Sequence, residues 1–268
     1  MSTHFGATLR MLRVDAGMGL GELANRIGVS PAYLSRVEHG HDPVPTPDRV
    51  VAIARALQLP PLVLLEIAQG AGAAIASYLE RVPEASALFL DLAGRDLGAA
   101  EIARIRAYID RTIPARSGPA KPRLGELLTE TRVVVRATCA DLEDVVMVAA
   151  ARLARDREQA RSLARDLLER EEAAPSMMGG GVVAPHAILP GEAVRAALVV
   201  LGRPIKTRTP DAVPLQVAVV LIEPAADRRH LDRLAHVARL AGRGLAETLS
   251  PARTAEQALR LLASLDVT

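Results

Sequence analysis

The stretch Gly179-Gly180-Gly181-Val182-Val183-Ala184-Pro185-His186, with the pair Arg170-Glu171 just ahead of it, decides how the second half of the chain is read. Three consecutive glycines permit backbone conformations closed to other residues and let another group come close to the main chain. Val182 to Ala184 make an apolar run of the length of a short buried strand, and Pro185 stops it. His186 is thereby delivered to the rim of a sheet, where an imidazole can meet an incoming group. A histidine so placed suits a nucleophile, a general base or a metal ligand.

Around this stretch, short Val- and Leu-rich runs alternate with amphipathic segments, the pattern of a layered α/β domain. Helices are expected at 124–128, 141–155, 158–172, 229–240 and 254–265, and strands at 132–136, 194–201 and 215–222. The proline-rich segment 114–122 is the clearest boundary, and everything before it reads as helix. The expected organisation is an all-α unit over 1–70, a helical extension over 71–113, a linker over 114–122, and an α/β domain over 123–268. In that last domain a mixed sheet is covered by helices on both faces.

Composition narrows the function. Half of the 268 residues are hydrophobic and 24% are charged, enough for real cores. Aromatics are only Phe5, Phe89, Tyr33, Tyr78 and Tyr108, too few to stack single-stranded nucleic acid. The net charge is +2, with six basic against six acidic residues over 1–70, so overall charge does not argue for nucleic-acid binding. The single cysteine, Cys139, excludes an internal disulfide framework and fits a reducing compartment. No apolar run reaches the ~18 residues of a membrane span, and no signal-peptide core opens the chain. A cytoplasmic protein with no membrane partner is expected.

In the first unit, Leu23, Ala24 and Ile27 give a short helix one apolar face, and Gly28 suits the left-handed residue that ends it. Ser30 is a good N-cap and Pro31 a good first helical residue. Leu34 and Val37 then point inward, leaving Pro31, Ala32, Ser35 and Arg36 outward. This is a helix-turn-helix with its second helix available for a major groove. Residues 5–69 resemble the lambda-repressor and Cro type, the XRE family, through Leu9, Leu12, Arg13, Leu23-Ala24, Gly28-Val29-Ser30, Tyr33-Leu34-Ser35, Glu38 with Gly40, and 51–57. The resemblance implies a homodimer on a double-stranded DNA operator. It places Ser30, Pro31, Ala32, Tyr33, Ser35 and Arg36 at the DNA and Arg13 with Glu38 in a structural ion pair. Arg36 is the best base reader, since guanidinium matches guanine O6 and N7. Gly19-Leu20 departs from the family's Ser/Thr-Gln, which grips a phosphate. A bundle that kept this fold for protein contacts is the other reading.

Residues 123–267 resemble the enzyme IIA domain of the fructose/mannitol type in the sugar phosphotransferase system, a group that includes the nitrogen-related IIA proteins. Leu127-Leu128, Arg170-Glu171, Gly179, Gly181, Pro185-His186, Pro204-Ile205 and His230-Leu231 carry the match. It implies that His186 accepts a phosphoryl group from an HPr-like phosphocarrier protein, with His230 and Arg170 beside it. Such a chain is a phosphohistidine-accepting component rather than a free-standing enzyme, and no cofactor or metal is implied. Pro175-Ser176-Met177 replaces the family's Ser-Thr-Gly, and Ala187-Ile188 follows the histidine in place of a basic or small polar residue.

The remaining histidines are weaker candidates. His236 lies six residues from His230, about 240° around a helix, and reads as packing or surface. His39 and His41 read as solvated. Cys139, His186 and His230 lack metal-ligand spacing. The apolar faces of 72–113, with Ile75, Leu79, Val82, Leu88, Leu92, Ile102, Ile105 and Ile109, suit a dimer interface, an extension of the first unit or a relay between the domains. Joined, the halves suggest a transcriptional regulator with a phosphorylatable switch. The alternatives are a phosphotransfer or docking module acting by protein contact, or an unphosphorylated anion sensor.

Overall fold

The computed structural model describes residues 3–113, 123–207, 209 and 211–266. The segment expected as a linker, 114–122, lies outside the described residues.

Five helices open the chain: α1 (Thr3–Asp15), α2 (Leu20–Arg26), α3 (Pro31–Glu38), α4 (Pro47–Ala56) and α5 (Pro61–Gln69). Proline occupies the first turn of α3, α4 and α5, where the missing N–H leaves no bond unmade. Gly28 adopts φ +69° in the turn between α2 and α3, and the Ser30 side chain accepts from Tyr33 N at 3.2 Å. Phe5, Leu9, Leu12, Leu23, Leu34, Ile53, Leu64 and Leu65 are fully buried between these helices. Each such side chain contributes about 1.5–3 kcal/mol by leaving water. Arg13 locks the first helix to the third: its Nε and Nη2 donate to Glu38 at 2.6 and 2.7 Å, and its Nη1 to Met18 O at 2.8 Å.

Then come α6 (Ala71–Arg81), α7 (Pro83–Ala93) and α8 (Ala99–Thr112). Their apolar faces stay largely in solvent. Leu88, Phe89 and Leu90 on α7 are 58%, 53% and 68% exposed, and Ile75, Ile102, Tyr108 and Ile109 are exposed as well.

After α9 (Leu124–Leu127), a mixed sheet is built from β1 (Val133–Ala137), β2 (Met177–Gly179), β3 (Val182–Val183), β4 (His186–Ile188), β5 (Arg195–Ile205) and β6 (Leu215–Glu223). The order is β1-β5-β6-β3-β2, with β4 also on β6. Both β3 and β4 run parallel to β6, one after the other along the same edge. The strands therefore continue beyond the one expected run, with β4 starting at His186 and β2 at Met177. Two helices between β1 and β2, α10 (Leu142–Leu153) and α11 (Arg157–Ala173), cover one face. The three after β6, α12 (Arg228–Gly242), α13 (Leu245–Leu249) and α14 (Ala255–Asp266), cover the other.

Period-2 alternation sorts the strands between two cores. Ala197, Val199, Ala218 and Val220 meet α10 and α11, whereas Leu198, Val200, Val217 and Val219 point to the other face. That second core is continuous with the core of α1–α5. Helix α1 packs on β2 and α12, and α5 packs on α12. An ion pair between Glu66 on α5 and Arg243 at the end of α12 adds to this join.

Candidate functional site

His186 opens β4, paired in register with Leu221 of β6. Its Nδ1 lies 2.9 Å from the Ala184 carbonyl two residues back, which fixes the ring and aims Nε2 the other way. His230 is set by helix start chemistry: the Asp227 side chain caps α12 and accepts from His230 N at 3.0 Å. The two rings stand 5.2 Å apart, tilted by 53°. Arg170, in the last turn of α11, donates from Nη1 to Ala174 O at 2.9 Å, which leaves Nη2 pointing into the same space. His186, His230 and Arg170 thus converge.

Glu171 has a different task. It accepts from Ser176 N at 2.8 Å and from Ser176 Oγ at 2.5 Å. It thereby pins the segment leading into the glycines. Burial, partly offset by these bonds, raises its carboxyl pKa. The serine of the Pro175-Ser176-Met177 departure is therefore tied to the Arg-Glu pair. Gly179, Gly180 and Gly181 all take positive φ, at +78°, +57° and +70°. A side chain at Gly179 would collide with His4 of α1, whose Cγ lies 2.6 Å from the Cβ position. The close approach that the glycines permit is made by the N-terminal unit of the same chain.

That approach corrects one expectation. His186 is not presented to solvent at a rim; it is 1% exposed and His230 is 0% exposed. The covering group is Asp15, the last residue of α1. Its Oδ1 accepts from Arg170 Nη2 at 2.6 Å and lies 3.0 Å from His186 Nε2 and 3.6 Å from His230 Nε2. Burial works against the Asp15 charge, but His186, His230 and Arg170 together hold its carboxyl far below the usual carboxylate range. His230 also has Glu223 Oε1 at 3.6 Å from Nδ1. Both its contacts are longer than hydrogen bonds and act through charge. Burial favours its neutral form, yet the two carboxylates outweigh it and raise its pKa. Glu223 is buried and gripped by both Nε and Nη2 of Arg233.

Among the described residues, Asp15, His186 and His230 are the close cluster of metal-type donors, with atoms within 4.8 Å of one another. The Arg170 guanidinium on the same carboxylate already supplies the positive charge there. Cys139 is not part of this cluster. His236 is buried on α12 and bonds Asp266 of α14 at 2.6 Å, a packing role.

A pocket of two histidines and an arginine closing on one carboxylate oxygen is an anion site. The family model described as phosphoenolpyruvate-dependent sugar phosphotransferase system, EIIA 2, matches residues 126–265. The chain belongs to that EIIA family. A helix-turn-helix domain model matches residues 4–66. The EIIA domain is thus fused to a DNA-binding type of unit, the make-up of a transcriptional regulator. The chain is 37% identical over 83 residues to the HTH-type transcriptional repressor RghR of Bacillus subtilis (strain 168), across 31% of this chain and 56% of that protein. It therefore spans little more than half of that relative. The nitrogen regulatory protein IIA-Ntr from Neisseria meningitidis superposes with a TM-score of 0.45 at 22% identity, over 52% of this chain and 98% of that one.

At the helix-turn-helix, Ser30, Pro31, Ala32 and Arg36 are exposed on or beside α3, and Tyr33 and Ser35 are half-buried. They form one face that the EIIA domain leaves open. Arg36 Nε bonds Asp42 at 3.0 Å. Arg49, which nothing in the sequence marks, stands 5.2 Å over the Tyr33 ring, a cation beside this face. Among the described residues no helix is long and apolar enough to cross a membrane.

Proposed function

We propose that this chain is a cytoplasmic, DNA-binding transcriptional regulator whose EIIA domain is reversibly phosphorylated on His186 by an HPr-like phosphocarrier protein. Phosphorylation modulates its binding to a double-stranded operator. The observation that carries this reading is the convergence of Arg170, His186 and His230 on a single carboxylate oxygen. A phosphoryl group needs the same surroundings: a nucleophilic nitrogen in line, and cations on its equatorial oxygens. Arg170 supplies charge-assisted bonds and His230 a second donor.

On the DNA side, Ser30, Pro31, Ala32, Tyr33, Ser35 and Arg36 form the recognition surface, and Arg36 reads a guanine. The exposed apolar residues of α6–α8 support a homodimer, because large apolar side chains left in solvent on successive helices favour a protein contact. The occupant is a second copy, since an operator with two half-sites needs two recognition helices about 34 Å apart.

The test is incubation with a phosphocarrier protein charged from phosphoenolpyruvate. Acid-labile phosphate is expected on the wild type and absent from His186→Ala. Label on another residue, or none on the wild type, contradicts the proposal.

A further inference from the structure

We infer that Asp15 is a built-in stand-in for the phosphoryl group, so that docking of the helix-turn-helix unit on the EIIA domain and phosphorylation of His186 exclude each other. The inference rests on the reading of His186 as phosphoacceptor and adds how that site is regulated.

Asp15 has no reason of its own helix to be acidic. It ends α1, where the helix dipole favours a cation and penalises a carboxylate. Its compensation comes wholly from across the interface. Oδ1 takes the Arg170 bond and faces both imidazoles, while the side chain is 5% exposed. Arg170 and the two histidines are the groups a phosphoryl dianion needs, and a carboxylate now holds them.

The docked ring is also disarmed. Nδ1 faces the Ala184 carbonyl and Nε2 faces the Asp15 carboxylate, and both neighbours are acceptors only. The Asp15 carboxylate, 3.0 Å from Nε2, fills the space in line with that nitrogen, which an incoming phosphorus must enter.

Transfer therefore begins with Asp15 leaving. With the carboxylate gone, the Nε2 lone pair attacks phosphorus. The P–N bond of the carrier's phosphohistidine breaks, with its electron pair returning to the carrier ring. The product carries a new P–Nε2 bond and roughly −1.5 to −2 charges, which engage Arg170 and His230 and repel the Asp15 carboxylate. Redocking is opposed for as long as the phosphate remains. By reciprocity, docking disfavours the phosphorylated state by the same equilibrium factor as phosphorylation disfavours docking.

The latch does not work by covering the recognition helix. Pro31, Ala32 and Arg36 are exposed in the docked form. Docking instead fixes where the whole helix-turn-helix sits relative to the EIIA domain. The rest of the hold is the apolar packing of α1 and α5 on β2 and α12, with Glu66 on α5 paired with Arg243 and near Arg239.

The experiment compares the full-length wild type with Asp15→Ala and with Glu66→Lys, a second variant outside the phosphoacceptor pocket. Each is given phosphocarrier protein charged from phosphoenolpyruvate. Initial rates of acid-labile labelling on His186 are followed together with small-angle X-ray scattering. Both variants are expected to label about tenfold faster and to scatter as extended particles before labelling; the wild type extends only as label accumulates. Equal rates in all three proteins, or labelled wild type that stays compact, overturns the latch and leaves His186 as acceptor. No label on any of the three removes the phosphoacceptor reading itself, and the latch with it.

Discussion

Asp15 Oδ1 and His186 Nε2 lie 3.0 Å apart across 171 residues of chain. With the Arg170 bond to the same oxygen, this contact joins the helix-turn-helix to the histidine cluster of the EIIA domain. On the proposed latch, it couples the state of the imidazole to the position of α1.

The join should weaken on the alkaline side. The carboxyl of Asp15 is depressed, so its contribution is present above the ordinary carboxylate range and is lost only in strong acid, as pH falls through the depressed value. His230 is raised, so its contribution is complete below the ordinary imidazole pKa of about 6.5. That contribution disappears as pH rises through the raised value. The groups facing this ring are Asp15, Glu223, His186 and, behind Glu223, Arg233. Scattering measured from pH 6 to pH 9 should show the compact form giving way, and His230→Asn should flatten the dependence. A wild type equally compact across the range contradicts this.

Arg13→Ala should destabilise the N-terminal unit by about 3–5 kcal/mol, because it strands the buried Glu38 carboxylate. The Glu38 side chain is 1% exposed and bonded twice by Arg13. Thermal unfolding reads the loss. A melting temperature within a degree of wild type goes against a structural role for the pair.

Much of this architecture was legible from local chemistry. Ser30-Pro31 announced the start of α3, Gly28 the turn before it, and Pro185 the break after β3. The Arg170–His186–His230 grouping came through the EIIA resemblance. Spacing in the chain could not place Arg170, 16 residues away, beside the histidine. Strands β2 and β4 were hidden, because three residues on a shared sheet edge carry no periodicity of their own. Asp15 was missed for a deeper reason: its partners lie in another domain. The signal was present, though weak, as an acid in the last helical turn of α1, where a base belongs. The triple glycine permits a close approach, and the approaching group is α1, a partner that local sequence cannot name.

At the proposed DNA face, Arg36→Ala should cost about 1–3 kcal/mol at the cognate base and relax the sequence preference there. Competition binding against operator variants measures it. A uniform loss across all sequences would make Arg36 a backbone contact instead. Arg49→Ala should show that uniform loss, with a shallower salt dependence.

Leu88→Glu with Leu90→Glu should convert a dimer to monomers without unfolding the chain, since both side chains are more than half exposed in one copy. Sedimentation velocity gives the answer. An unchanged sedimentation coefficient removes α7 from the interface.

The most direct measurement is operator affinity of the same preparation before and after phosphorylation on His186, with His186→Ala treated in parallel. A shift of about tenfold in Kd, equivalent to ~1.4 kcal/mol of coupling, is predicted for the wild type and none for the variant. Identical affinity for the phosphorylated and unphosphorylated wild type contradicts the account.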